Sequence, residues 1–228
     1  MRLPLNSMLV FGLARQLTRT TILTGQQFGD NWWDKYKEWG LAGHNGVDIP
    51  CLDGEPVYAS HNGYATRVTE EVVGSSGTRG KGIWITSQER HSNGFFMESV
   101  YWHLKDFNIY TGKVVKEGDL IGWADNTGYS TGPHLHFGIR LKDGNGNVIN
   151  TANGFSGYVD PLPYFMQINQ AELENLYLAI FGRLPDAAAQ GYVDHELIFV
   201  LDELMKSPEN IADSHVLAAV KDKFSVKL

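Results

Sequence analysis

Between Thr20 and Tyr164 the chain advances in short β-branched or aromatic runs, broken by turns at roughly ten-residue spacing. "TRTTILTG" is β-branched, "NGYATRVTEEVV" alternates partly with period two, and "GIWITS" is a compact apolar strand. "FFMESVYWHL", "GDLIGWA" and "HLHFGIRL" continue the pattern. "LKDGNGNVIN" reads as a hairpin tip, because Asp143-Gly144 and Asn145-Gly146 both suit tight turns. Between Trp33 and Gly40, "WDKYKEWG" predicts one short helix. Many short strands at this spacing predict a mainly antiparallel β domain, a compact sandwich or barrel-like sheet, and not a βαβ protein. The 25 glycines, clustered between apolar runs, are consistent with so many turns.

After "YVDPLPYF" the period changes. Leu173, Leu176, Tyr177 and Ile180 fall at i, i+3, i+4 and i+7, which marks one face of a helix. Asn169 with Glu172 resembles a capping arrangement at its start, and Gly182 and Pro185 are stop signals. A second helix is expected over Leu197, Val200, Leu201 and Leu204. Ser207-Pro208-Glu209 has the form of an N-cap followed by proline, opening a third. The fold class expected is therefore α+β: a β-rich domain over residues 1–167 and a small all-α module over residues 168–228.

The net charge of −7 is uneven: residues 168–228 carry 10 acidic and 5 basic side chains. No basic stripe is present to follow a phosphate backbone, so nucleic-acid binding is not expected. No stretch approaches the ~18 apolar residues of a membrane span. The start, "MRLPLNSMLVFGLA", has a positive end and a small-residue end. Its apolar run from Met8 to Ala14 is short, however, so it is read as the first part of the domain and not as an export signal. The single cysteine, Cys51, excludes an internal disulfide framework, and nothing near it in sequence would activate a thiolate.

Eight histidines are present, and they are not equivalent. His44 and Asp48 lie four apart around Gly46 in "GHNGVDIP", and His103 lies in "VYWHLK". His134 and His136 lie in "TGYSTGPHLHFG", two apart on an expected strand and so on one face, about 6–7 Å apart along it. That spacing allows two imidazoles to serve one metal, or one metal and the water beside it. Three imidazole or carboxylate ligands with a fourth position open define a catalytic zinc site. Each element is weak alone, since H-x-x-x-D occurs by chance and an H-x-H pair on a strand is more often structural. The combination, with the pair fixed by a Thr-Gly-Pro turn, is much more specific.

The elements "GHNGVDI", "YWHL" and "TGYSTGPHLHFGI" resemble the lysostaphin-type zinc endopeptidases, which cut peptide bonds in bacterial peptidoglycan. The resemblance extends over about residues 24–165 and includes "QQFGDNWW", "PVYASHNGYATRV" and "VVKEGDLIGWADNTG". It implies that His44, Asp48 and His136 hold Zn²⁺, and that His103 and His134 are catalytic, flanking the water and the scissile carbonyl. All five positions are filled. Trp102 is bulkier than the residue often found there, and "VVGSSGTRGKG" and "QERHSNGFFMES" differ from shorter family versions, which bears on the shape of the substrate groove. With no H-E-x-x-H glutamate, a histidine would be the general base, and acid–base and oxyanion roles fall to His103 and His134 jointly.

The remaining features carry less. His61 is expected in a turn, His91 and His195 facing solvent, and His215 in the third helix. Trp32, Trp33, Trp84 and Trp102 are core residues or lining of a substrate cleft. The segment "LYLAIFGRLPDAAAQGYV…ELMKSPE" resembles a helical domain of unknown function from extracellular and wall-associated proteins. That implies a module that binds the wall or another protein. The leading expectation is a zinc endopeptidase acting on peptidoglycan peptides at the bacterial wall, of a kind a bacteriophage could deliver as an endolysin. The alternatives are a non-catalytic wall-binding protein that keeps the fold, and a β carrier module suggested by "VVKEGDLIGWA", which lacks a lysine at its hairpin tip.

Overall fold

The computed structural model describes residues 1, 4–5, 25–70, 79–91, 94–165 and 170–193. These form a short helix α1 (Lys35–Glu38) and strands β1 (Val47–Pro50), β2 (Pro56–Tyr58), β3 (Gly63–Glu70), β4 (Gly80–Arg90) and β5 (Phe96–Trp102). Then follow β6 (Leu104–Phe107), β7 (Lys113–Val115), β8 (Leu120–Ala124), β9 (His134–Lys142) and β10 (Tyr158–Val159). Helix α2 (Gln170–Phe181) and two short 3₁₀ turns, Leu162–Tyr164 and Ala188–Tyr192, complete the elements. The short helix, the β runs and the Asp143–Asn147 turn appear where the sequence predicts them.

All strand pairing is antiparallel. A seven-stranded sheet runs β1-β9-β5-β4-β3-β7, with β10 continuing the β1 side of β9, and a three-stranded sheet runs β2-β8-β6. Side chains from both sheets meet in one core: Val57, Leu104 and Ile121 from the small sheet, with Ile83, Ile85, Leu135, Phe137 and Ile139 from the large one. This is the sandwich that the spacing of the strands calls for.

Strand β9 shows how the site is positioned. Leu135, Phe137 and Ile139 are fully buried on the core face, so His134 and His136 project from the opposite face. Residues opposed across an antiparallel pair share a face. Asp48 on β1 is paired with His136, and His136 with Trp102 on β5, giving a row Asp48–His136–Trp102 across three strands. Gly82 continues the row, because a Cβ there would lie 2.4 Å from the Trp102 ring. Its hydrogen lets the indole lie over β4.

His103 stands where the chain leaves the large sheet (β5) for the small one (β6), with φ at +66°. A non-glycine residue in that region costs of order 1–3 kcal/mol and persists only where its surroundings hold it. Here the Asp125 N–H donates to the His103 carbonyl at 2.9 Å, and the ring is held as described below.

Helix α2 spans the segment whose period predicts it, with Leu173 and Tyr177 buried and Gly182 at φ +67° just past its end. The β-branched run at Thr20, the capping residue Asn169, the second and third helices, His195, His215 and the Met8–Ala14 run lie outside the described residues.

Candidate metal centre

The segment at residues 25–30 clamps the first two candidate ligands. The Asp48 N–H donates to the Gln26 carbonyl at 2.8 Å, and the His44 N–H donates to the Asp30 carbonyl at 2.8 Å. The His44 ring donates from Nδ1 to the Gln27 carbonyl at 3.2 Å, since a carbonyl can only accept. Its Nε2 therefore carries a lone pair, and it points inward. Asp30 braces the turn by accepting the Gln27 N–H at 2.8 Å.

Three donor atoms converge in this way. His44 Nε2 lies 2.9 Å from His136 Nδ1 and 3.2 Å from Asp48 Oδ1, and His136 Nδ1 lies 3.1 Å from Asp48 Oδ1. A four-coordinate ion with bonds of about 2.0–2.1 Å spaces its ligand atoms roughly 3.3 Å apart. The triangle fits that size. Its chemistry fits too, because lone pairs on two imidazoles and a carboxylate attract a cation and repel one another. Burial alone would raise the Asp48 pKa, yet the bonds from His136 and His44 hold it well below the usual carboxylate range, so it is ionised. Burial, with repulsion from His44, lowers His136 to about 4 against the opposing pull of Asp48, so this imidazole is neutral at pH 7.

Room for the His136 ring comes from Gly46. A Cβ there would lie 2.6 Å from His136 Nε2 and 2.6 Å from the Phe137 carbonyl. The "HNGVD" spacing thus places two ligands four apart with a gap between them for the third.

His103 and His134 face the same centre. The His103 Nδ1–H donates to the Thr127 carbonyl at 2.7 Å, and the His134 Nδ1–H donates to the Gly132 carbonyl at 2.8 Å. Each ring therefore presents Nε2 to the cleft. His134 Nε2 is 3.6 Å from Asp48 Oδ1, and the two rings lie 4.6 Å apart. Asp125 ties the pair together: its N–H bonds the His103 carbonyl, and its carbonyl accepts the His134 N–H at 3.2 Å. Burial first, then repulsion from His134 and His136, lowers His103 to about 3.

The five residues share one cleft of about 870 Å³. Residues not singled out in the sequence form one wall. Tyr129 stacks on Trp33 at 5.1 Å, and Trp39 packs edge-on against both. The cluster "WWDKYKEW" carried that signal, but Tyr129 comes from the distant H-x-H turn and could not be grouped with it. Trp32 and Trp102 also line the cleft, whereas Trp84 does not and packs edge-on against Trp102.

Residues 42–151 match the profile of peptidase family M23. The chain carries a peptidase family M23 domain. That region contains all five candidate residues, and it lies within the span that resembles the lysostaphin-type enzymes. The M23 domain is similar to DD-carboxypeptidase/endopeptidase Mpg of Neisseria meningitidis, 38% identical over 112 residues, covering 49% of this chain and 22% of that protein. It is also similar to glycyl-glycine endopeptidase ALE-1 of Staphylococcus capitis, 35% identical over 145 residues, covering 59% of this chain and 35% of the relative. Among solved structures, the catalytic domain of lysostaphin from Staphylococcus simulans matches with TM-score 0.45 and 30% identity, covering 62% of this chain and 90% of that one. The chain spans between 20% and 35% of the length of these curated relatives and others like them.

The other histidines lie apart from the M23 centre. His61, expected in a turn, is buried: its Nδ1–H donates to the Asn62 carbonyl, and Nε2 accepts from Ser99 Oγ at 2.9 Å. His91, expected to face solvent, is half-buried against Tyr164. The difference has one cause in both cases, since an imidazole satisfied by local partners packs readily under a sheet. Cys51 follows β1, and burial pushes its thiol up to about 12, so it is not reactive.

Proposed function

We propose that the chain is a zinc-dependent endopeptidase that hydrolyses peptide bonds in bacterial peptidoglycan, with His44, Asp48 and His136 holding the ion. The observation that carries this reading is the triangle of donor atoms, with edges of 2.9 to 3.2 Å, and two further imidazole Nε2 atoms aimed at it. Bound zinc would supply a Lewis acid that polarises the scissile carbonyl and lowers the pKa of water toward about 7. His103 and His134 divide the proton transfers between them, one taking a proton from water and the other donating to the departing amine. Each is fixed for that work by its Nδ1–H bond to a backbone carbonyl, which sets ring orientation and leaves Nε2 to act. Once protonated, either ring also stabilises negative charge on the carbonyl oxygen. The aromatic wall excludes water and orients the peptide.

The M23 match and the resemblance to wall-cutting enzymes support peptidoglycan as the substrate and the cell wall as the place of action, with a bacteriophage endolysin as the setting proposed. The organisation proposed is a β-rich peptidase unit over residues 1–167 and a helical module over 168–228 that binds the wall or another protein. Mass spectrometry of fragments released from defined peptidoglycans, with and without chelator, tests the reaction. New peptide amines that disappear with chelator support it. Protein that binds sacculi yet releases no amines points to the binding-only relative.

A further inference from the structure

We propose that Arg79, the Trp102 indole N–H and the Tyr158 hydroxyl form a carboxylate-binding subsite at one end of the cleft. The peptide that is cut then carries a free carboxylate within about two residues of the scissile bond. The proposal rests on the reading of the cleft as a peptidase site.

The cleft is polarised. Acceptors converge where His44, Asp48 and His136 meet, whereas the lining beyond Trp102 is made of donors. Among the described residues lining the cleft, Arg79 is the one with a fixed positive charge, and Asp48 is the one carboxylate. The Arg79 guanidinium lies over the Trp102 ring, 5.7 Å from its centroid. Trp102 is 1% exposed, and its Nε1–H has no hydrogen-bond partner among the described residues. A buried indole N–H can only donate, and leaving it unpaired is costly, so it calls for an acceptor.

Tyr158 completes the group from β10. Its pKa is raised, chiefly by burial, so the phenol keeps its proton; Arg140, Arg79 and the Trp102 indole act in the opposite direction, which places all of them close to its oxygen. Glu98, also nearby, is engaged by Arg140, Lys142 and Thr86. An anion is therefore met by a guanidinium, an indole N–H and a phenol O–H, and charge-assisted bonds of that type favour a carboxylate over a neutral amide.

Distance sets the position of that carboxylate. Trp102 is paired with His136 on the next strand, about 4.8 Å away, and the guanidinium lies 5.7 Å beyond the indole. An extended peptide advances about 3.3–3.6 Å per residue. A substrate bond at the metal centre thus puts a neighbouring residue's carboxylate at Arg79. A bridge made only of glycine offers none there, whereas a stem-peptide cross-link does.

The test compares two cross-linked peptide dimers with the same scissile bond, one with a free carboxylate on the residue beside it and one with the carboxamide. With zinc-loaded full chain, kcat/KM favours the carboxylate by about tenfold or more. In Arg79→Gln the ratio falls to about one, Arg79→Lys recovers part of it, and Trp102→Phe lowers it. Equal rates on both peptides with the wild-type chain would overturn the proposal, as would a ratio unchanged in Arg79→Gln. If the wild-type chain cuts neither peptide, hydrolysis fails as the function, and calorimetric binding of the same peptides decides the subsite. A carboxylate preference lost in Arg79→Gln supports it, and equal binding overturns it.

Discussion

Asp48 and His136 are directly paired across β1 and β9, with Oδ1 and Nδ1 3.1 Å apart. The sheet register, more than any loop, therefore sets the distance between two of the three candidate ligands. A one-residue slip of β9 would turn both histidines into the core. His44, by contrast, arrives from a loop and is pinned by bonds to residues 27, 29 and 30.

Removing a ligand should remove the metal. His136→Ala and Asp48→Ala are expected to bind less than a tenth of the zinc of the wild-type chain, which should hold about one ion. Metal analysis after gel filtration measures this, and full zinc content in either variant would exclude the triangle as the site.

His103→Ala and His134→Ala should separate chemistry from metal binding. Neither ring lies at a corner of the triangle, so zinc content should stay near that of the wild-type chain. Peptide hydrolysis should fall by about 10²–10⁴-fold, the usual contribution of a positioned acid or base. Loss of zinc in both variants would instead make them ligands.

Gly46→Ala tests the packing of His136. The added Cβ meets the His136 ring and the Phe137 carbonyl, and the backbone atom cannot give way easily. Zinc affinity is expected to fall by about tenfold or more, comparable to loss of a group that orients a ligand. Unchanged affinity would show that the ring has room to move.

Glu98 anchors a charge cluster on the same face of the sheet as the site, away from the three ligands. It is 1% exposed, and it pairs with Arg140 and Lys142 and accepts from Thr86. Glu98→Ala leaves those cations without their anion and should destabilise the chain by about 3 kcal/mol or more. Denaturant unfolding measures the loss, and zinc content should hold. A loss under about 1 kcal/mol would show that the cations find other partners.

Acid should destabilise the metal-free protein. Burial lowers His103 to about 3 and His136 to about 4, below the usual histidine value of about 6.5. Below pH ~6.5 the unfolded chain binds protons that the folded chain does not, so stability is lost as pH falls toward these values. Tm after chelation should drop by about 5 °C or more between pH 7 and pH 5. A flat profile over that range would mean that the two rings are not held neutral by burial.

Much of this was legible before the fold. The strand runs, the α2 segment and the H-x-x-x-D and H-x-H pairs each follow from local pattern, since period and turn chemistry are local properties. The aromatic wall was not legible, because Tyr129 reaches Trp33 from nearly a hundred residues away. Nor was the donor end of the cleft, where Arg79, Trp102 and Tyr158 come from three separate segments. His61 misled for a related reason: its turn is local, but its partner Ser99 is on β5. Contacts between distant segments depend on register, which no single stretch of sequence states.

The most direct test of the central claim is peptide-amine release from purified peptidoglycan by the full chain after chelation and zinc return. The account predicts no release from the metal-free protein, recovery at about one zinc per chain, and none from His136→Ala at any zinc concentration. Release that persists in the chelated protein, or in His136→Ala, would contradict it.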